Sequence, residues 1–231
     1  MNLYLFDVDG VLCDTGCKID PDFQSWFIDW SKDKLYALIT GGARSSTLEQ
    51  VGEEIVYNAY RSFHCMGNHI FIKDREYKIN QFDLAPEEIE WLESFVKKSG
   101  FKIKTGNHID IRTGSVNFSI AGRNATLEQK KKYLAWDNLT NERLNLIEEF
   151  EKEFPHYQAF IGGNASIDIC LYEAHKGKCL DHIEMGKQYE VVFFGDKCFE
   201  RGIDYPLHHN REHSYYIKNG YKDTWEILKQ L

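Results

Sequence analysis

The first ten residues contain an arrangement that could do chemistry. Leu3 to Phe6 form an apolar, strand-like run, and Asp7, Asp9 and Gly10 follow it. Side chains at positions i and i+2 of a strand share a face, so we expect both carboxylates to emerge together where the chain turns. Carboxylates this close resist joint ionisation, and a divalent cation, most often Mg²⁺ for a phosphate substrate, usually compensates them. One aspartate could then attack phosphorus while the other handles a proton.

The same Asp-x-Asp-Gly sequence could also belong to a calcium loop or to a plain turn. An EF-hand loop needs an oxygen ligand and a glycine at the two positions that Val11 and Leu12 occupy here. The calcium interpretation therefore fails. Asp and Gly are common in turns, so a turn without chemistry stays open until residues elsewhere in the chain are considered.

Composition limits the function classes. The 231 residues, 42% of them hydrophobic, can form one large domain or two modest ones with a buried core. A net charge of −8 argues against a nucleic-acid binder. We see no membrane-spanning run and no secretory signal, so we expect a cytoplasmic protein without membrane partners. The six cysteines include no CxxC pair and are interpreted as small buried side chains.

The elements that would position these residues alternate between strand and helix at both ends of the chain. Strands are predicted at 3–6, 35–39, 191–194 and 215–217, and helices at 21–32, 44–55 and 223–231. Such an order favours a parallel sheet with helices on its faces.

The middle of the chain has a different pattern. Alternating apolar runs at 109–112, 115–120 and 165–171 accompany helical patterns at 87–98, 127–136 and 141–154. This combination indicates an α+β insert. We therefore predict an α/β fold with a Rossmann-like parallel-sheet core formed by residues 1–81 and 175–231, and an inserted cap domain at 82–174.

Other polar residues follow predicted strands. In the Thr40-Gly41-Gly42 segment, a hydroxyl, exposed amides and a helix start could hold an anion. Lys176 could neutralise a phosphate oxygen, and Asp196 and Asp204 offer acidic groups for a cation. Ligands of open α/β sheets bind at the carboxyl ends of the strands, so we expect these residues to meet Asp7.

Taken in order, four motifs resemble the haloacid dehalogenase superfamily of phosphotransferases. They are Asp7-Val8-Asp9-Gly10, Thr40-Gly41-Gly42, Lys176-Gly177, and Gly195-Asp196-Lys197 with Asp204. The resemblance implies that Asp7 forms an aspartyl phosphate and that Asp9 is the general acid/base. It also implies that Thr40 and Lys176 hold the transferring phosphoryl group, and that Gly41 and Gly42 contact substrate. Mg²⁺ would be bound by Asp7, the Asp9 main-chain carbonyl and Asp196, with Asp204 as a supporting acid.

The predicted insert is similar to the cap of the eukaryotic-type phosphomannomutases. The matching segments are Asp110-Ile111-Arg112-Thr113-Gly114, Ile120-Ala121-Gly122-Arg123, and Gly162-Gly163 followed by Ala165-Ser166-Ile167-Asp168. By this resemblance Arg112, Arg123 and Lys130 grip the phosphate that is not reacting, while Ser166 and Asp168 contact phosphate or sugar hydroxyls. The implied substrate is a phosphorylated hexose, with a hexose 1,6-bisphosphate as intermediate or activator. A homodimer through the cap is implied as well.

The chain departs from that family at several positions. Val11, Gly16 and Ile203 replace a threonine, an arginine and an asparagine of the family pattern, and Lys130 replaces an arginine. The first expectation is interconversion of mannose 6-phosphate and mannose 1-phosphate. A sugar-phosphate phosphatase is the second, and an inactive sugar-phosphate binding protein, made possible by Ile203, is the third.

Overall fold

The computed structural model describes residues 1–183, 189–209 and 211–231. Within these ranges the strands are β1 (Asn2–Phe6), β2 (Leu35–Ile39), β3 (Ser62–His64), β4 (His69–Ile72), β5 (Arg75–Ile79), β6 (Ile109–Arg112), β7 (Ser115–Phe118), β8 (Tyr157–Ile161), β9 (Ile167–Leu171), β10 (Glu190–Gly195) and β11 (Ser214–Tyr216). The α-helices are α1 (Pro21–Trp30), α2 (Arg44–Val51), α3 (Glu53–Asn58), α4 (Pro86–Lys98), α5 (Leu127–Thr140), α6 (Glu142–Glu153), α7 (Tyr205–His208) and α8 (Tyr221–Leu228).

Among the described residues, the larger sheet has seven strands in the order β11-β10-β1-β2-β3-β4-β5. Its first five strands are mutually parallel, with Leu3 opposite both Val191 and Leu35, and β4 and β5 run antiparallel at one edge. Successive side chains of β1 enter separate apolar clusters, with Phe6 on one face and Leu5 on the other. Because both faces of the sheet are covered by apolar side chains, the sequences of the central strands are continuous apolar runs. The predicted parallel α/β fold is confirmed.

Helix α1 shows how sequence sets an element that covers this sheet. Asp20 caps the helix by accepting the amides of Asp22 and Phe23, and Pro21 occupies its first turn. Phe23 and Phe27 are fully buried against the sheet. The aromatic face of this helix therefore serves packing.

One predicted helix is wrong in its extent. The pattern at 44–55 predicted one helix, whereas the structure has α2 and α3 separated at Gly52, whose φ is 85°. A glycine reaches this left-handed conformation without steric cost and commonly ends a helix. The chain therefore turns at Gly52 before α3 begins.

The middle of the chain forms a second, antiparallel sheet in the order β6-β7-β9-β8. It shares an apolar cluster with the helices α4, α5 and α6, in which Phe118, Ile147 and Phe150 are buried. The strands β3, β4, β5 and β8 were not predicted from sequence. None of the helices in the described part of the chain is long and apolar enough to cross a membrane.

Candidate active site

Three carboxylates meet at the carboxyl ends of β1 and β10. One oxygen each of Asp7, Asp196 and Asp204 lies within 4.8 Å of the other two. Asp7 follows the last residue of β1, and its amide donates to the Phe194 carbonyl of β10. This main-chain bond fixes the aspartate at the junction of the two central strands.

A buried lysine partly neutralises the cluster. Lys176 Nζ lies 2.9 Å from Asp7 Oδ1 and 2.7 Å from Asp204 Oδ1, and the lysine side chain is 1% exposed. Burial disfavours its ammonium form, but Asp204 and Asp7 together raise the pKa of Lys176 above its ordinary value. The lysine is therefore a fixed cation beside Asp7.

Burial raises the pKa values of Asp7 and Asp196, whereas the nearby Lys176 lowers them. Burial, followed by repulsion from Asp204, raises the pKa of Asp7 well above its usual range, although Lys176 opposes the shift. Burial likewise raises the pKa of Asp196 to about 6, against the effect of Lys197. Lys176 and Lys197 do not fully offset the negative charge of the three carboxylates, so a bound cation would stabilise the cluster.

Asp204 is the most enclosed member of the cluster. Its side chain is fully buried, with Lys176 donating to Oδ1 and the amides of Asp196 and Lys197 donating to Oδ2. With both oxygens occupied, Asp204 is better placed to orient Lys176 and Asp196 than to contact substrate.

Gly10 allows the first motif to approach β10. Its φ is 78°, and a Cβ there would lie 2.4 Å from Asp196 Oδ2. A side chain at this position would collide with the acidic cluster and strain the backbone. The glycine of the first motif is therefore required by the approach of the two carboxylate-bearing segments.

The segment after β2 offers hydrogen-bond donors to the same place. Thr40 is 1% exposed, and its Oγ1 accepts the Gly42 amide at 3.0 Å, which leaves the hydroxyl proton available to a ligand. Helix α2 begins at Arg44, so its positive end lies near this segment. A hydroxyl, a main-chain loop and a helix start can together bind a phosphoryl group.

Asp9 belongs to a separate hydrogen-bond network. Its Oδ1 accepts the Gly16 amide and Gln50 Nε2, both at 2.8 Å. The strand ends at Phe6, before either aspartate, so the expected alternation does not continue through the turn. Both carboxyl groups still line one cavity, but only Asp7 joins the acidic cluster.

The second sheet supplies positive charge and hydrogen-bond donors from the opposite side. Arg112 Nε lies 3.0 Å from Asp110 Oδ2, and Arg112 Nη1 donates to the Gly41 carbonyl at 2.8 Å. Arg112 Nη1 also lies 3.4 Å from Asp168 Oδ1. Arg112 is thus a direct link between β6 and the loop after β2.

Asp168 is held by a residue that sequence reasoning missed. Asn117 of β7 donates to Asp168 Oδ1 at 2.9 Å and accepts from Arg123 Nη1 at 3.2 Å. Burial raises the pKa of Asp168, whereas Arg112 and Asn117 oppose that shift. The alternating polar residues Ser115, Asn117 and Ser119 were a signal that could have indicated this face.

A cavity of about 360 Å³ lies between the two sheets. Twelve of the thirteen residues predicted for the site line it: Asp7, Asp9, Thr40, Gly41, Gly42, Arg112, Arg123, Lys130, Ser166, Asp168, Lys176 and Asp196. Asp204, the thirteenth, lies behind Lys176 and Asp196. Gln50, Asn117, Ser119 and Asn164 also line the cavity and were not predicted.

Further contacts hold the second sheet against the first. The Ile161 amide of β8 donates to the Arg201 carbonyl at 2.8 Å, and the Ile203 amide donates to the Ile161 carbonyl at 3.0 Å. Arg201 Nη1 lies 2.9 Å from Glu151 Oε2. Ile203, 4% exposed, packs with Met66, Phe160 and Cys170. The cavity is therefore closed along one side by main-chain and apolar contacts.

The acidic cluster has the composition of a magnesium site. Carboxylate oxygens are the ligands that Mg²⁺ prefers, and three of them converge here with a net negative charge. Asp7 Oδ1 is occupied by Lys176 and the Val8 amide, whereas among the described residues no hydrogen bond reaches Asp7 Oδ2. The residues present fit a bound divalent cation.

The fold resembles solved structures of phosphatases. The C-terminal domain of C. albicans trehalose-6-phosphate phosphatase superposes with a TM-score of 0.65 at 14% identity, covering 99% of this chain and 91% of that one. IMP-bound, N-terminally truncated IMP-nucleotidase of Plasmodium falciparum superposes with a TM-score of 0.64 at 14% identity, covering 99% and 67%. The likeness shows that this chain shares the fold of these phosphatases.

Sequence similarity identifies the family. The model of the family described as eukaryotic phosphomannomutase matches residues 25–231. The Saccharomyces cerevisiae phosphomannomutase is 28% identical over 237 residues, covering 99% of this chain and 93% of that protein. The Drosophila melanogaster phosphomannomutase is 28% identical over 243 residues, covering 99% and 94%. The chain belongs to the eukaryotic phosphomannomutase family.

Proposed function

We propose that the protein is a Mg²⁺-dependent phosphomannomutase that interconverts mannose 6-phosphate and mannose 1-phosphate through a hexose bisphosphate. The observation that carries the proposal is one cavity with different chemistry at its two sides. The cavity is lined by Asp7, Thr40 and Lys176 from the two ends of the chain. It is also lined by Arg112, Arg123 and Lys130 from the middle of the chain. A mutase needs both sides because one phosphate reacts while the other is held.

In the first step, Asp7 Oδ2 forms a bond to one phosphorus of a hexose 1,6-bisphosphate as that ester P–O bond breaks, and Asp9 gives a proton to the leaving oxygen of the hexose monophosphate. Lys176 and Thr40 bind the phosphoryl oxygens and keep them in line for attack. The aspartyl phosphate then passes its phosphoryl group to the free hydroxyl of a hexose monophosphate held in the opposite orientation. This transfer forms the bisphosphate again and regenerates Asp7, with Asp9 accepting the proton of that hydroxyl.

Asp7, the Asp9 main-chain carbonyl and Asp196 would hold Mg²⁺, with Asp204 orienting Lys176 and Asp196. When bound, Mg²⁺ supplies positive charge that offsets charge on the phosphoryl oxygens. The three carboxylates of the cluster support this assignment.

Residues 82–174 are proposed to act as the cap. Arg112, Arg123 and Lys130 would bind the phosphate that is not reacting, and Ser166 and Asp168 would contact phosphate or sugar hydroxyls. The contact of Arg112 with the Gly41 carbonyl supports closure of the cap over the substrate. A hexose 1,6-bisphosphate activator and a homodimer through the cap belong to the same proposal.

A sugar-phosphate phosphatase is the second candidate. The side chain of Arg123 is 41% exposed, so solvent reaches the cap side of the cavity. Water admitted there would hydrolyse the aspartyl phosphate and release inorganic phosphate in place of the second transfer.

Phosphorus NMR separates the two activities. The protein is supplied with mannose 1-phosphate, Mg²⁺ and a trace of hexose 1,6-bisphosphate. We expect mannose 6-phosphate to accumulate, and Asp7→Asn to abolish its formation. Accumulation of inorganic phosphate alone would assign the phosphatase. Binding without turnover would leave only a sugar-phosphate binding protein.

A further inference from the structure

The carboxyl group of Asp9 is held asymmetrically. The Gly16 amide and Gln50 Nε2 both donate to Oδ1, each at 2.8 Å. Among the residues that the structure describes, no hydrogen bond reaches Oδ2. Two donors on one oxygen fix the plane of the carboxyl group and leave the other oxygen as the one able to carry a proton.

Gln50 is itself fixed in place. It lies in the last turn of α2, and its carbonyl accepts the Ile19 amide at 2.8 Å. Its Nε2 also lies 3.7 Å from the buried Cys13 sulfur. The side chain therefore holds Asp9 from a helix that is tied to the segment following the first motif.

We propose that Gln50 is a positioning residue that turns Asp9 Oδ2 toward the cavity as the proton-carrying atom. This inference rests on the proposed function, in which Asp9 is the general acid/base. As the ester bond breaks, its electron pair stays on the sugar oxygen, which takes the proton from Asp9 Oδ2, while the phosphoryl group goes to Asp7. In the reverse direction Oδ2 takes the proton of the attacking hydroxyl.

The position of Gln50 supports a role beyond stability. Its side chain is partly exposed and lines the cavity, so the protein core does not depend on it. Gln24 offers a matched comparison, because its Nε2 donates to the Val51 carbonyl at the end of the same helix α2, at 2.9 Å. Gln24→Met removes a glutamine hydrogen bond from the same helix end without touching Asp9.

The test depends on the leaving group. A sugar alkoxide leaves only when protonated, whereas p-nitrophenolate leaves without a proton. Gln50→Met is compared with Gln24→Met and the wild-type protein on mannose 1-phosphate and on p-nitrophenyl phosphate, with Mg²⁺. For the sugar phosphate we expect Gln50→Met to lower kcat by about 10-fold to 100-fold with KM nearly unchanged, within the range of general acid catalysis. For the aryl phosphate we expect all three proteins to release p-nitrophenolate at similar rates in the first turnover, before water attacks the aspartyl phosphate.

An equal loss of sugar-phosphate turnover and of first-turnover p-nitrophenolate release would overturn the inference, as would a sugar-phosphate rate for Gln50→Met that matches Gln24→Met. If Gln50→Met does not fold, as judged by circular dichroism, Gln50→Ala replaces it at this helical position. Failure of the proposed function looks different. A wild-type protein that hydrolyses p-nitrophenyl phosphate but leaves mannose phosphates unchanged would remove the hexose assignment, and the same comparison would then use another alkyl phosphate.

Discussion

Replacing Asp7 by asparagine should stabilise the protein in the absence of divalent cations, although it should abolish turnover. Asp7 lies 2.9 Å from Lys176 and within 4.8 Å of Asp196 and Asp204. At an effective dielectric constant near 20, the attraction is about 6 kcal/mol and the two repulsions are at least about 3.5 kcal/mol each. Burial of the carboxylate adds a desolvation cost of several kcal/mol. The charge of Asp7 is therefore unfavourable overall when no cation is bound.

The amide of asparagine retains an oxygen that can accept from Lys176 and the Val8 amide. Part of the attraction survives, so we expect a net gain of about 1 to 3 kcal/mol, which is a rise in Tm of about 3 to 9 °C for a protein of this size. In excess Mg²⁺ the difference in Tm between Asp7→Asn and the wild-type protein should become smaller or change sign. We expect the wild-type protein to bind the cation more tightly and to be stabilised by about 2.7 kcal/mol at a cation concentration of 100 times Kd.

The assay is thermal unfolding followed by circular dichroism, in EDTA and in millimolar Mg²⁺. Asp83→Asn is the control, because Asp83 is exposed and lies outside the cavity. A lower Tm for Asp7→Asn than for the wild-type protein in EDTA would refute the conclusion that the charge of Asp7 is unfavourable without a cation. Equal stabilisation of both proteins by Mg²⁺ would refute the role of Asp7 as a ligand.

Three other changes test the surroundings of the site. Arg112→Met removes charge-assisted hydrogen bonds to Gly41 and Asp168, so KM for the sugar phosphate should rise by about 10-fold to 100-fold in steady-state kinetics. Asn117→Leu leaves Asp168 without its amide donor, so KM for the sugar phosphate should rise by about 10-fold in steady-state kinetics, with a matching rise in the Kd from isothermal titration. Burial lowers the pKa of His64 to about 3, so the unfolded chain binds a proton there before the folded protein does. Urea unfolding should therefore show about 1.5 kcal/mol less stability at pH 5 than at pH 6.5 from this group, and His64→Asn should remove that difference.

For each of these three predictions, one outcome would contradict the reasoning. An unchanged KM in Arg112→Met would mean that the link to Gly41 does not affect substrate binding. A loss of kcat alone in Asn117→Leu would place Asn117 in chemistry and not in substrate binding. A pH dependence that His64→Asn leaves intact would belong to other groups.

The sequence predicted the features that local patterns encode. The apolar runs of β1, β2 and β10 are continuous because both faces of the sheet are covered, and Asp7, Thr40 and Asp196 directly follow these strands. Gly52 could have indicated the break between α2 and α3, because glycine commonly ends a helix. The partners of Gln50 and Asn117 could not be predicted from spacing, since Asp9 and Asp168 lie 41 and 51 residues away from them in the chain.

Ile203 shows how a residue can change meaning between sequence and structure. As a replacement for an amide it suggested a weakened site and supported the inactive alternative. In the structure its side chain is 4% exposed and packs on Phe160 and Cys170 of the second sheet, and its amide bonds to the Ile161 carbonyl. Burying such a side chain contributes about 1.5 to 3 kcal/mol. The aliphatic group thus stabilises contact between the two sheets, while Asp204 Oδ2 is held by two amides that do not depend on residue 203. The exchange removes a polar group from the cavity wall and adds to its closure, which is compatible with an active phosphotransferase.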